Sequence, residues 1–384
     1  MGRLKGRKTM TSRERLRTTL NHQEPDRISI DLGGMQTTIE TLAYQQLLSY
    51  LGLKEEIFVF TRDHVVPSET VLNMFNVDTR YIYYEPIKPG PPAPGTLFDE
   101  WGIGWRKKIG GLYYEPFYFP LREAKTLEDL KKHKWPDPPT KERITYWRER
   151  AQKLYKETDY ALIGDAIGLG IFETAWALQG LDRFMINLYR RLPFVEALLD
   201  KVLEIKINQY ETYLDAIGNY IDVINISDDM GAQNGPLISP SLYRKLVKPR
   251  QKMLIETIKR KTNAKVFLHS CGAIYEFIPD FIEIGIDILN PIQVSARGMG
   301  NTERLKKEFG KDLVFWGGSC DSQHILPFGT PEDVRKETAR RIEELKPGGG
   351  YVFAPIHNIQ AFVPPENIVA LFETAKEVGI YIQD

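Results

Sequence analysis

His269 and Cys271 stand two residues apart at the end of the apolar run Lys265-Val266-Phe267-Leu268. In an extended chain, residues i and i+2 point to the same face, so an imidazole and a thiol at this spacing can converge on one point. Gly272 then lets the chain turn away. An imidazole–thiolate pair suits zinc. A buried cysteine beside a hydrogen-bonded histidine would leave the same trace, and this segment alone does not separate the two readings. Other residues able to do chemistry recur where apolar runs stop. They are Asp31, Asp165, Asp228, Asp229, Asn290, Gln293, Cys320, Asp321, His357, Asn358 and Gln360. Asp228 and Asp229 are candidates for a base or a substrate clamp, or for strand-end capping. Gln233, Gln293, Asn358 and Gln360 are candidate amide readers of a polar substrate. His22, His64 and His133 lie in loop or surface contexts and are given no role.

The runs that carry these residues read as short buried strands. They are Arg27 to Asp31, Tyr160 to Asp165, Tyr220 to Ile226, Val266 to Leu268, Ile286 to Leu289, Leu313 to Trp316 and Gly350 to Ala354. Amphipathic helical stretches separate them in the second half, which implies parallel strands joined by crossover helices. No Gly-x-Gly-x-x-Gly follows any strand, so a dinucleotide-binding sheet is disfavoured. Polar residues end many different strands. A closed (β/α)8 barrel gathers all strand ends round one mouth, whereas an open sheet concentrates its site at one switch point. The expected fold is therefore a TIM barrel. Thr11 to Glu14 resembles a helix capping box, and Ser239-Pro240 a helix start.

Residues 85–120 break the pattern. Pro-Gly-Pro-Pro-Ala-Pro-Gly at 89–95 reads as a linker. The aromatic-rich runs Thr96 to Trp105 and Leu112 to Phe119 read as a β-hairpin inserted near the barrel mouth. Trp101, Trp105, Tyr113, Tyr114, Phe117 and Tyr118 are available either to wall a pocket or to pack a small satellite layer, and Trp101 is taken as a substrate contact.

The chain has 384 residues, 42% hydrophobic and 27% charged, with a formal net charge of +0. These values fit one large globular unit, taken as a single domain over residues 1–384 with a flexible tail at 1–10. No basic excess marks a nucleic-acid binder, and no run is long enough to span a membrane. The basic stretch Gly2 to Lys8 lacks the apolar segment of a signal peptide. Two cysteines in this length point to a reducing cytoplasm and to ligands or nucleophiles rather than disulfides.

The chain resembles the uroporphyrinogen decarboxylase superfamily, which includes cobalamin-dependent methyltransferases. The similarity runs through Arg13 to Leu16, Glu24 to Arg27, Asp99 to Gly102, Trp135 to Pro138, Asp228-Asp229, His269 to Gly272, Gly285 to Asp287 and Gly348 to Asn367. The resemblance implies a (β/α)8 barrel. In the zinc methyltransferases of this superfamily a His-x-Cys pair and a Cys on the last strand hold the metal. His269 and Cys271 match the pair, the last-strand position falls near His357, and Cys320 is a further candidate. The implied activity is methyl transfer between a small methylated compound (a methoxyarene, methylamine or methyl thiol) and a corrinoid carried on a separate protein. The alternative is a metal-independent decarboxylase of a small acid, with Asp31 or Asp228 placing a proton. A His after the last strand also resembles the decarboxylase branch. The decarboxylases carry an arginine-bearing segment after the first strand, whereas Asp31 to Thr37 contains no Arg. A non-catalytic binding barrel is the third reading.

Overall fold

The structure is a computed structural model, and it describes residues 9–90, 95–107 and 114–381. The expected tail up to Lys8, the middle of the Pro-rich stretch, and Tyr113 lie outside the described residues.

Eight strands form one parallel sheet that wraps into a nearly closed barrel. They are β1 (Ser29–Ile30), β2 (Thr79–Ile82), β3 (Ala161–Gly164), β4 (Val223–Ser227), β5 (Lys265–His269), β6 (Ile288–Asn290), β7 (Val314–Trp316) and β8 (Tyr351–Phe353). Pairing runs β2-β3-β4-β5-β6-β7-β8-β1, with helices crossing between neighbours. Sequence alone missed β2. Its Arg80 made Thr-Arg-Tyr-Ile look unlike a buried strand, yet Arg80 is 4% exposed and forks onto Glu69 of the preceding helix Glu69–Met74 at 2.6 Å.

Alternate side chains point inward. Tyr81, Ile163, Val223, Phe267, Ile288, Val314, Trp316 and Val352 fill the barrel as one apolar cluster, so it is a packed core rather than a pore. Leu16 and Leu20 join that cluster from the helix Ser12–Leu20, which lies across the amino-terminal end of the strands. The expected capping box starts this helix. Thr11 accepts from the Glu14 amide at 3.1 Å, and the Glu14 carboxylate accepts from the Thr11 amide at 2.9 Å. Ser239 likewise caps the helix Pro240–Leu246.

The barrel closes between β1 and β2 by side chains more than by ladder. One backbone hydrogen bond crosses, from Asp78 N–H to the Ile30 carbonyl at 2.8 Å. The fully buried Asp78 carboxylate also accepts from Ile30 N–H at 2.9 Å, Arg15 at 2.6 Å, Arg27 at 2.7 Å and Ser12 at 2.8 Å. Above it, Asp31 accepts from Thr79 at 2.5 Å, Tyr81 at 2.9 Å and Trp316 Nε1 at 2.8 Å.

The insertion is richer than the expected hairpin. Thr96–Phe98, Gly104–Lys107 and Tyr114–Tyr118 form a three-stranded antiparallel sheet. Asp99 splits the first run by accepting the amides of Trp101 and Ile103 in a tight turn. A second small sheet, unseen in the sequence, joins Phe58–Thr61 to His64–Val66 and to Lys88–Pro89. Pro89 sits there on an edge strand, a position a proline tolerates.

Candidate metal centre and mouth cavities

β5 ends at His269, and the backbone stays extended enough for the i, i+2 pair to meet. Cys271 Sγ lies 3.2 Å from His269 Nε2. Gly272 turns the chain at φ +85°, and a Cβ there would lie 2.4 Å from the backbone of Gly231. The last strand delivers His357 from across the mouth, with its ring centroid 5.3 Å from that of His269. One ligand atom each from His269, Cys271 and His357 lie within 4.8 Å of one another. Tetrahedral zinc holds such atoms about 3.3–3.6 Å apart, so a small inward adjustment of the side chains would close the set.

The protonation states suit this use. His269 Nδ1 lies 2.5 Å from Asn290 Oδ1, and Asn290 Nδ2 donates to the Trp316 carbonyl at 2.8 Å. The second contact fixes which way the amide faces. Asn290 therefore presents an oxygen, His269 Nδ1 carries the proton, and Nε2 keeps its lone pair toward Cys271. Burial pushes His269 down to about 4, so the ring is neutral at pH 7. Burial, then the coulombic effect of His269, pushes His357 down to about 3. His357 has φ +64° and its Nδ1 accepts the Asn358 amide at 2.8 Å. Coordination through Nδ1 would give up that contact, and coordination through Nε2 would also move the ring proton. Burial and neighbouring Asp229 push the Cys271 thiol well above its usual range, so a cation is what would ionise it.

Two adjoining cavities open at this mouth. One, of about 370 Å³, is lined by the two histidines with Asp229, Glu173, His64, Arg62, Asn358 and Gln360 among others. The other, of about 420 Å³, lies under the insertion against Phe60, Tyr84, Trp101, Trp105 and Asp165. They share Met35, Arg62, Gly168 and Leu169. A third, outer cavity of about 370 Å³ is bordered by Cys271, Gln293, His357, Asn358 and Gln360.

The residues singled out in the sequence divide accordingly. His269, Cys271, His357, Asp229, Asn358, Gln360 and Gln293 come together at the mouth. Asn358 is tied to the frame by Thr38 N–H at 2.9 Å and the Met35 carbonyl at 2.9 Å. Gln293 accepts the Gly272 amide at 2.9 Å. Gln233 sits on the exposed rim, bonded to Ser295, Gln293 and Gln323. Trp101 walls the insertion-side cavity. Asp31 is sealed inside the barrel by its three donors, away from these cavities. Asp228 accepts the amides of Phe172 and Glu173 and the Gln251 side chain, so it serves the first turn of the helix Ile171–Gln179. The metal-capable group does not include Cys320, which is buried in the apolar core.

Three mouth residues escaped the sequence reading. His64, left without a role, lies 3.1 Å from Asn358 Nδ2 and lines the metal-side cavity. Glu173 comes from the first turn of the helix Ile171–Gln179. Burial, then Asp229, pushes its carboxyl up to about 8. Arg62 comes from the turn of the extra hairpin. No periodicity marks any of the three.

Comparison with known proteins places this geometry. A uroporphyrinogen decarboxylase of Alkalilimnicola ehrlichii is 23% identical over 300 residues, covering 74% of each chain. One of Neisseria meningitidis is 25% identical over 188 residues, 47% of this chain and 49% of that protein. A solved structure described as a methyltransferase from Methanosarcina mazei superposes with a TM-score of 0.65 at 17% identity, covering 96% of this chain and 99% of that one, and so shares the fold. Residues 119–378, more than half of the chain, match the family described as uroporphyrinogen decarboxylase (URO-D), and the protein belongs to that family.

Proposed function

We propose that this protein is a zinc-dependent methyltransferase, moving a methyl group between a small methylated substrate and a corrinoid carried by a separate protein. The observation that carries the reading is the convergence of His269, Cys271 and His357 ligand atoms within 4.8 Å at the barrel mouth. Two imidazoles and a thiolate are a donor set zinc accepts, and three protein ligands leave a position for substrate. Zinc bound there supplies Lewis acidity to the heteroatom that gains or loses the methyl. Asn290 holds His269 in the ligating tautomer. Glu173 and Asp229 face the same cavity, and their raised carboxyls can hold or release a proton at the heteroatom. Burial, then the amide of Cys271, sets the balance at Asp229, which ends up at about 6.

The decarboxylase reading is favoured by the names of the sequence relatives. A porphyrinogen bearing many carboxylates needs several cationic forks. Of the cations lining the two inner cavities, Arg143 already pairs with Glu85 at 3.3 Å. A small acid is the decarboxylase substrate that the mouth could accommodate.

Metal analysis after zinc-replete expression, followed by incubation with methylated compounds and a corrinoid protein, separates the readings. About one zinc per chain and a changed corrinoid spectrum are expected, both lost in Cys271→Ala. Carbon dioxide release from an acid by zinc-free protein would establish the decarboxylase instead. Retention of zinc in Cys271→Ala would move the metal elsewhere.

A further inference from the structure

Arg62 occupies the first position of a two-residue hairpin turn, between Thr61 and His64, which pair across the strands. Its φ is +40°, a conformation in which such turns normally place glycine, asparagine or aspartate. An arginine there carries backbone strain. What the strained turn achieves is position. The side chain lines both the metal-side and the insertion-side cavities at their junction.

Its guanidinium lies 3.5 Å from the centroid of the Trp105 ring. The Trp105 Nε1–H donates to Asp99 at 2.8 Å, which holds the indole in place. Among the described residues the Arg62 donors have no hydrogen-bond or ion-pair partner, and the nearby acids are engaged elsewhere. Asp99 accepts from Trp101, Ile103 and Trp105. Asp63, next in sequence, pairs with Lys107 at 2.6 Å. Glu173 accepts from Ser227 at 3.0 Å. Burial pushes Arg62 down only to about 10, so it is cationic at pH 7. A half-buried guanidinium with its fork uncommitted is a receptor for a planar oxyanion, most of all a carboxylate.

The geometry points to Arg62 as the anchor for a carboxylate on the methyl donor, and to a methoxybenzoate-type compound as that donor. This rests on the methyl-transfer reading and selects within it. The walls nearest the junction, Met35, Phe60, Leu169, Trp105 and Tyr114, are broad and apolar and would flank a ring. With the carboxylate on Arg62, the ring's far side faces the cavity wall formed by His269 and His357. No corresponding cation comes from the segment after β1, so the anion-reading role falls to the added hairpin.

Isothermal titration calorimetry of zinc-replete protein with the 2-, 3- and 4-methoxybenzoates, 3-methoxybenzyl alcohol and methoxyacetate tests this. At least one methoxybenzoate should bind roughly tenfold tighter than the alcohol or the aliphatic acid. Arg62→Gln should weaken that acid roughly thirty-fold while leaving the alcohol unchanged. Arg62→Lys, which keeps the charge and loses the fork, should fall between wild type and Arg62→Gln. Circular dichroism matching wild type checks the fold of each variant. Equal affinity for acid and alcohol, or an acid affinity untouched in Arg62→Gln, overturns the anchor. Methoxyacetate binding as tightly as the best aromatic acid overturns the ring. Calorimetry requires no turnover. An acid held through Arg62 but never demethylated rejects the transferase reading and keeps the anchor. Methyl transfer from a methoxybenzoate, with affinity and rate undiminished in Arg62→Gln, does the reverse.

Discussion

Asn290 shows how much of the candidate centre depends on a residue outside the set of candidate ligands. Its oxygen accepts from His269 Nδ1–H, and its nitrogen donates to the Trp316 carbonyl. Removing it frees the His269 ring to turn and to exchange tautomers. Asn290→Ala should therefore weaken zinc binding about 10–100-fold without unfolding the barrel, as loss of such supporting partners does elsewhere. Competition against a chromogenic chelator measures it, and unchanged affinity would mean that packing alone orients the ring. His269 and Cys271 could be seen in the sequence because a period of two at a strand end is itself a signal. Glu173, His64 and Arg62 could not, because each reaches the mouth from a helix start or a turn, where one polar residue looks like any other.

At the scale of elements, seven barrel strands were legible as apolar runs because both of their faces are buried. β2 was not, since Arg80 is neutralised only by a partner eleven positions earlier, Glu69, that the fold supplies. The extra hairpin was missed for a similar reason: Arg62-Asp63 lacks the glycine that usually announces such a turn. The junction of β1 and β2 is where the barrel relies most on side chains. Asp78→Ala would leave Arg27 and one arm of Arg15 without their buried partner. A loss of about 3–5 kcal/mol in urea unfolding is expected, the range for breaking a buried ion pair. A loss under ~1 kcal/mol would show that the ladder, not Asp78, closes the barrel.

Across the whole molecule, the mouth concentrates carboxyls whose protonation burial favours. Asp165 accepts the backbone amides of Met35 and Ala166, and burial pushes it up to about 7. An unfolded aspartate titrates near ~3.9. Between about 4 and 7 the folded state therefore holds a proton that the unfolded state has lost, and stability falls as pH rises through that window. Denaturant midpoints should drop from pH 5 to pH 8 in wild type and drop less in Asp165→Asn. Parallel curves for the two proteins would show that Asp165 is ionised throughout.

The helix Ser12–Leu20 has a consequence for traffic. Leu16 and Leu20 stopper the far end, and aromatic and branched side chains fill the bore behind them. Among the described residues, the cavities that reach the histidines open on the mouth side. A macromolecule resting there would shut a small molecule in or out. On the proposed methyl-transfer reading, the small guest would be admitted before the large visitor is seated.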